Sequence, residues 1–166
     1  MFNEEDLRDY DTNLKVNPPL RRMEDMLAVK NAIINGEAAA IASHHIPQNY
    51  DNKVCEFEYA KNGMIGLETL FGTVGKYLPT DEGDNKEWTI EKLISLLTVS
   101  PRKIFHLPVP EITVGSIASL TLFNPATEYI FEENMIASKC RNTPFVGKQL
   151  KGKIIGIING NKTYFN

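Results

Sequence analysis

The chain has 166 residues, enough for one domain of ordinary size, and its 42% hydrophobic and 23% charged content is that of a globular protein. Its 18 basic and 21 acidic residues leave a net charge of -3 with no basic stripe, which argues against nucleic acid as a partner. No apolar run approaches the ~20 residues of a membrane span, the acidic start at residues 1–6 lacks a signal core, and Cys55 and Cys140 are too few for a disulfide scaffold and fit a reducing, cytoplasmic setting.

In chain order, residues 3–10 read as a short acidic helix capped by Asn3. Residues 13–16 read as a short strand, stopped at Pro18-Pro19, since neither proline can donate to a sheet ladder. Apolar residues recur at spacings of three and four across 22–35, which predicts a helix ended by Gly36. The wholly apolar run 38–42 then reads as a strand buried on both faces, so that strand, helix and strand make one βαβ step of a parallel α/β fold. The following segment, 43–64, has no period, and a connection of that length is usually functional. It follows the C-terminal end of the expected strand, where α/β barrels place their chemistry.

Residues 67–77 predict a helix interrupted by Gly72 and Gly75, residues 80–86 a polar loop, and residues 89–98 an amphipathic helix capped by Thr89. A second short turn covers 101–107. Beyond Pro108 and Pro110 the pattern becomes β: 116–123, ending at Asn124-Pro125, and then 153–158. There Asn159-Gly160-Asn161 turns the chain into 162–165, a hairpin signal. A boundary is expected near 107–111, with an α/β part over 1–107 and a small β part over 108–166.

The chemistry-bearing residues cluster in the aperiodic stretch. His44 and His45 are adjacent, so on a strand they face opposite ways and do not chelate one ion together. Catalytic zinc takes three protein ligands, and neither His106 nor Cys55 completes an established spacing. One histidine is expected to face the barrel mouth and the other to pack beneath it. Asn17, before two prolines, places a carboxamide at a rigid corner, where it can meet a cyclic amide with one donor and one acceptor; on bare chemistry it is first a turn residue. Gly63-Met64-Ile65-Gly66 leads into a helix start whose N–H groups can receive a carboxylate, or is simply a glycine-assisted loop. Glu56 and Glu58 read as a solvated face.

Taken in order, these segments resemble one family. Asn17-Pro18-Pro19-Leu20-Arg21 resembles the Asn-Pro-Pro-Leu-Arg signature of bacterial dihydroorotases. Residues 41–48 fall where that family has Thr-Asp-His-Ala-Pro-His, and 63–69 resemble its Gly-x-x-Gly-Leu-Glu-Thr segment. Residues 115–125 resemble its Gly-x-x-Ala-Asp-Leu-x-Leu-Phe-Asp-Pro stretch. Asn142-Thr143-Pro144-Phe145-Val146-Gly147 with Leu150-Lys151-Gly152-Lys153 resembles its closing signature. The resemblance implies the C-terminal portion of a TIM-like amidohydrolase barrel followed by a small β domain, entered near the penultimate barrel strand. It implies reversible closure of carbamoyl aspartate to dihydroorotate in pyrimidine biosynthesis, with zinc in the full-length family and a small-molecule substrate. In that family two zinc ions hold a bridging hydroxide, and an aspartate at the last barrel strand ligates metal and carries the proton.

Against that pattern His44 stands at the aspartate position, Gln48 replaces a substrate-contacting histidine, and the strands with the zinc histidines have no counterpart in this sequence. Ser119 replaces an aspartate of the small domain. Asn17, Gln48 and Gly63 fall at substrate-contacting positions, and His44 at the catalytic one, where an imidazole can bind zinc or accept a proton but brings neither the charge nor the geometry of a carboxylate. The chain by itself is expected to bind no zinc and to be inactive. One reading is a truncated dihydroorotase. Another is a non-catalytic homologue that acts as scaffold partner of aspartate transcarbamoylase or as a homo-oligomer. A further one is a related cyclic amidase such as a hydantoinase or allantoinase.

Overall fold

The computed structural model describes residues 1–78 and 88–165; the polar loop expected over 80–86 lies outside them. Asn3 caps a 3-10 turn over Glu4–Leu7, accepting from the Glu5 N–H while Asp6 accepts from the Asn3 N–H. The strand expected over 13–16 is instead a 3-10 turn, Thr12–Leu14, followed by extended backbone. Asp11 causes the difference: its carboxylate accepts from the Asn13 N–H at 2.9 Å and closes the chain into a turn. Helix α1, Met23–Ile34, forms where the apolar period placed it, and Gly36 ends it at φ +79°.

The βαβ step is not formed among the described residues. Residues 38–42 belong to no strand and have no ladder partner, and Ala39, Ala40 and Ala42 are exposed. The Ile41 N–H donates instead to the Leu96 carbonyl at 3.0 Å. An apolar run signals burial, but a parallel strand is buried only when neighbours flank it.

Helix α2, Leu70–Tyr77, α3, Ile90–Leu97, and α4, Val99–Ile104, follow. Thr89 caps α3, as its position predicts. The sheet is antiparallel, in the order β1 (Ser119–Ile130), β2 (Gln149–Asn159), β3 (Lys162–Phe165). Strand β1 does not stop at Asn124-Pro125. The register jumps from Asn124↔Lys153 to Glu128↔Lys151, so residues 125–127 bulge out and the proline needs no ladder partner. The Asn124 carboxamide accepts from the Ala126 N–H and shapes the bulge. Asn159 pairs with Lys162 across the turn, with Gly160 at φ +60°.

Two apolar cores hold these pieces. One joins Ile65, Phe131, Ile136, Phe145 and Leu150, with Phe2 edge-on to Phe145 at 5.4 Å. The other joins Val74, Leu78, Trp88 and Leu93 beneath α1. Helix α2 lies on β2, and its glycines set how closely. A Cβ at Gly72 would come within 2.5 Å of the Tyr129 hydroxyl, and one at Gly75 would overlap the Lys151 carbonyl. By contrast, α1 buries no residue fully, and Met23, Leu27 and Val29 are exposed.

The start of α2 is tied down by Glu68. Its Oε1 accepts from the Ser138 N–H at 2.8 Å and from the Ser138 hydroxyl, while Oε2 is buried without a partner. Burial pushes the carboxyl pKa up, but the Ser138 hydroxyl, backbone N–H bonds and nearby His45 outweigh it and hold it below its ordinary 4.5.

Two measurements test this account. Ala normally stabilises an interior helical site by about 1 kcal/mol over Gly. Gly75→Ala should instead destabilise by roughly 1–3 kcal/mol, because a backbone carbonyl cannot move aside; chemical denaturation showing a gain would contradict the packing. A carboxyl depressed by folding contributes stability above its unfolded pKa and loses it as pH falls through the folded one. The wild-type melting temperature should therefore drop more steeply than that of Glu68→Gln between about pH 5 and pH 2. Parallel acid profiles would refute the role given to Ser138.

Candidate functional site

The residues singled out by sequence fall in and around the irregular stretch 43–66. It contains one 3-10 turn, Tyr50–Asn52, and one isolated parallel bridge, His45↔Met64. His44 is not on a strand. It has φ +47° and is exposed, a conformation that is uncommon for a residue with a Cβ.

His45 is half-buried, and its Nδ1 accepts from the N–H groups of Gly66 at 3.1 Å and Leu67 at 3.3 Å. In that geometry Nδ1 is the acceptor. A neutral imidazole accepting at Nδ1 carries its proton on Nε2 and has no lone pair left for a metal. It also consumes two of the N–H groups that a carboxylate would need at this helix start. Of the two adjacent histidines, His44 is exposed and His45 turns inward.

Gln48 is turned into its own loop. Its Nε2 donates to the Asn62 carbonyl at 2.8 Å, and its Oε1 accepts from Asn52 Nδ2 at 3.2 Å. Gly63 has φ +126°, and a Cβ there would lie 2.5 Å from Ile46 Cγ2, so only glycine fits. Its N–H donates to the Lys15 carbonyl at 2.9 Å, two residues before the exposed Asn17. The Asn17-Pro18 peptide bond is cis. Thus the Gln48 and Gly63 segments are brought together, Asn17 follows by two residues the Lys15 whose carbonyl Gly63 bonds, and His44 is exposed.

Three residues that carried no role in the sequence organise this region. Asn142, 4% exposed, bonds to both the Gln48 and Gly63 segments. Lys53, 6% exposed, donates to the carbonyls of Thr12 at 2.6 Å and Lys61 at 2.8 Å; burial lowers its pKa. Lys15 donates to the carbonyls of Phe57 and Glu58 and lies over the Phe57 ring. No spacing rule marks a lone lysine or asparagine of this kind. The signal for Asn142 is its place in the closing signature. Glu56 and Glu58 are exposed, as a solvated face should be.

The zinc pair implied by the resemblance does not fit these donors. Among the described residues no three His, Cys, Asp or Glu side chains come together. A catalytic zinc needs three, and His45 offers no lone pair. No described helix is long and apolar enough to cross a membrane.

No protein-family model matches the chain. Among curated proteins it is 36% identical over 164 residues to the dihydroorotase of Geobacter sp. (strain M21), covering 98% of this chain and 37% of that protein. It is 38% identical over 164 residues to the dihydroorotase of Clostridium acetobutylicum, covering 98% of this chain and 38% of that protein. Among solved structures, a D-hydantoinase matches with TM-score 0.79 and 22% identity over 99% of this chain and 37% of that one. The L-hydantoinase (dihydropyrimidinase) from Arthrobacter aurescens matches at 0.74 and 19% identity, covering 98% and 36%. The structural likeness shows that the α/β arrangement of helices beside a small antiparallel sheet is one found within hydantoinase chains. Over nearly its whole length the chain is thus similar to dihydroorotases, and it spans little more than a third of the length of those relatives.

Proposed function

We propose that this chain is the C-terminal, substrate-facing part of a dihydroorotase-type cyclic amidase, which closes carbamoyl aspartate to dihydroorotate or opens the ring again. The similarity to dihydroorotases over 98% of the chain carries the reading. In it, residues 1–107 are the last elements of a TIM-like barrel and residues 108–166 its small β domain. The unpaired apolar run 38–42 and the exposed apolar face of α1 support it, because both are surfaces that neighbouring barrel elements would cover. Asn17 and the loop holding Gln48 and Gly63 form one wall of the pocket. Zinc, where the reaction uses it, is held by residues outside this chain, in a longer polypeptide or a partner, and the setting is cytoplasmic.

His44 favours a second reading. An exposed imidazole at φ +47° supplies neither the charge nor the geometry of the carboxylate expected at that position. A homologue with that change retains the scaffold and loses the proton carrier, which suits a structural partner of aspartate transcarbamoylase.

The purified chain, assayed with dihydroorotate and added zinc, should show no turnover above background. Turnover that a chelator abolishes would overturn this. If the assembly containing this chain copurifies with aspartate transcarbamoylase and takes up no zinc, the scaffold reading replaces the enzyme one. Zinc uptake with turnover by that assembly, further raised by His44→Asp, would establish the amidase.

A further inference from the structure

We infer that Asn142 is a positioning residue: its buried carboxamide sets the candidate pocket wall by joining the Gln48 and Gly63 segments. The inference rests on the pocket reading of those segments given above. Asn142 Oδ1 accepts from the Gln48 N–H at 3.0 Å. Its Nδ2 donates to the Ile46 carbonyl at 3.2 Å and to the Gly63 carbonyl at 3.2 Å. Its backbone carbonyl accepts from the Ile65 N–H at 2.9 Å. One acceptor and two donors are the whole inventory of a carboxamide beyond a second lone pair. The reverse orientation would set the amide nitrogen against the Gln48 N–H and the oxygen against two carbonyls, so the network admits one arrangement.

Asparagine's geometry is specific to the task. The two segments run side by side, linked directly by the Ile46 N–H donating to the Met64 carbonyl at 2.8 Å. Contact between them is close enough that Gly63 has no room for a Cβ. A side chain that donates to both segments at once holds that spacing from a third piece of chain. Aspartate at 142 would keep the acceptor for Gln48 but place a second oxygen against the Ile46 and Gly63 carbonyls. Alanine would leave buried groups unpaired.

The test uses the full chain, with dihydroorotate as probe, well below the melting temperature. Binding is followed by ligand-observed NMR for wild type, Asn142→Ala and Asn142→Asp. Amide exchange is read at Gly63 and Ile46, whose N–H groups bond to Lys15 and Met64 rather than to Asn142, and at Leu93 in the other core. The expected result is binding about tenfold weaker or worse in both variants, with faster exchange at Gly63 and Ile46 and unchanged exchange at Leu93. Wild-type affinity in the variants overturns the inference, as does faster exchange confined to Gln48 or spread equally to Leu93. If wild type itself does not bind dihydroorotate, the pocket reading falls, and the exchange pattern alone decides whether Asn142 positions the two segments. If the alanine variant does not fold, the near-isosteric aspartate variant decides both readouts.

Discussion

A buried backbone polar group must find a partner, and in residues 43–66 one 3-10 turn, one bridge and a few turn bonds provide only some of them. Side chains from within the stretch and from distant parts of the chain supply others. Lys15 and Lys53 donate into carbonyls of the loop and of the N-terminal turn, Asn142 bridges two of its strands of backbone, and His45 receives the two N–H groups at the entrance to α2. Most of these bonds join residues tens of positions apart, up to 96 between Asn142 and Ile46. The loop's shape is therefore a product of tertiary structure. It exists only when the N-terminal turn and the segment after β1 are both in place, and loop-closure cost must be met before any of these bonds can form.

That dependence explains what the sequence could and could not reveal. Elements whose signals are local were legible: α1 with Gly36 after it, α3 with Thr89 before it, the hairpin around Gly160. The run 38–42 was read as a buried strand because five apolar residues state a need for burial, but they do not name the neighbour that meets it. Pro125 looked like the end of a strand, but the structure lifts three residues out of register and resumes the ladder at Glu128. Asp11 makes a turn of a short strand candidate through one side-chain bond. In the site, His44 and His45 differ in exposure although His44 lies on no strand and turns the chain at φ +47°. The role of Asn142 depends on partners no local window contains.

Gly72 and Gly75 show the same tension in energetic terms. Each weakens α2 as an isolated helix. Each also permits α2 to approach β2 so closely that a methyl group would strike Tyr129 or Lys151. The helix gives up propensity to gain contact, and the contact is what fixes the entrance of α2, hence Gly66, Leu67 and Glu68, against the segment carrying Ser138 and Asn142. Scaffold and site are thus one network: the glycines set the distance and the polar residues span it.

His45 carries this furthest. Because Gly66 and Leu67 both donate to Nδ1, that acceptor is already occupied by the chain's own backbone. An inward histidine fixed in this state serves as an acceptor that ends one loop and starts one helix. Among the described residues no three potential metal ligands come together, so His45 acts as a link within the fold, while His44 beside it is exposed.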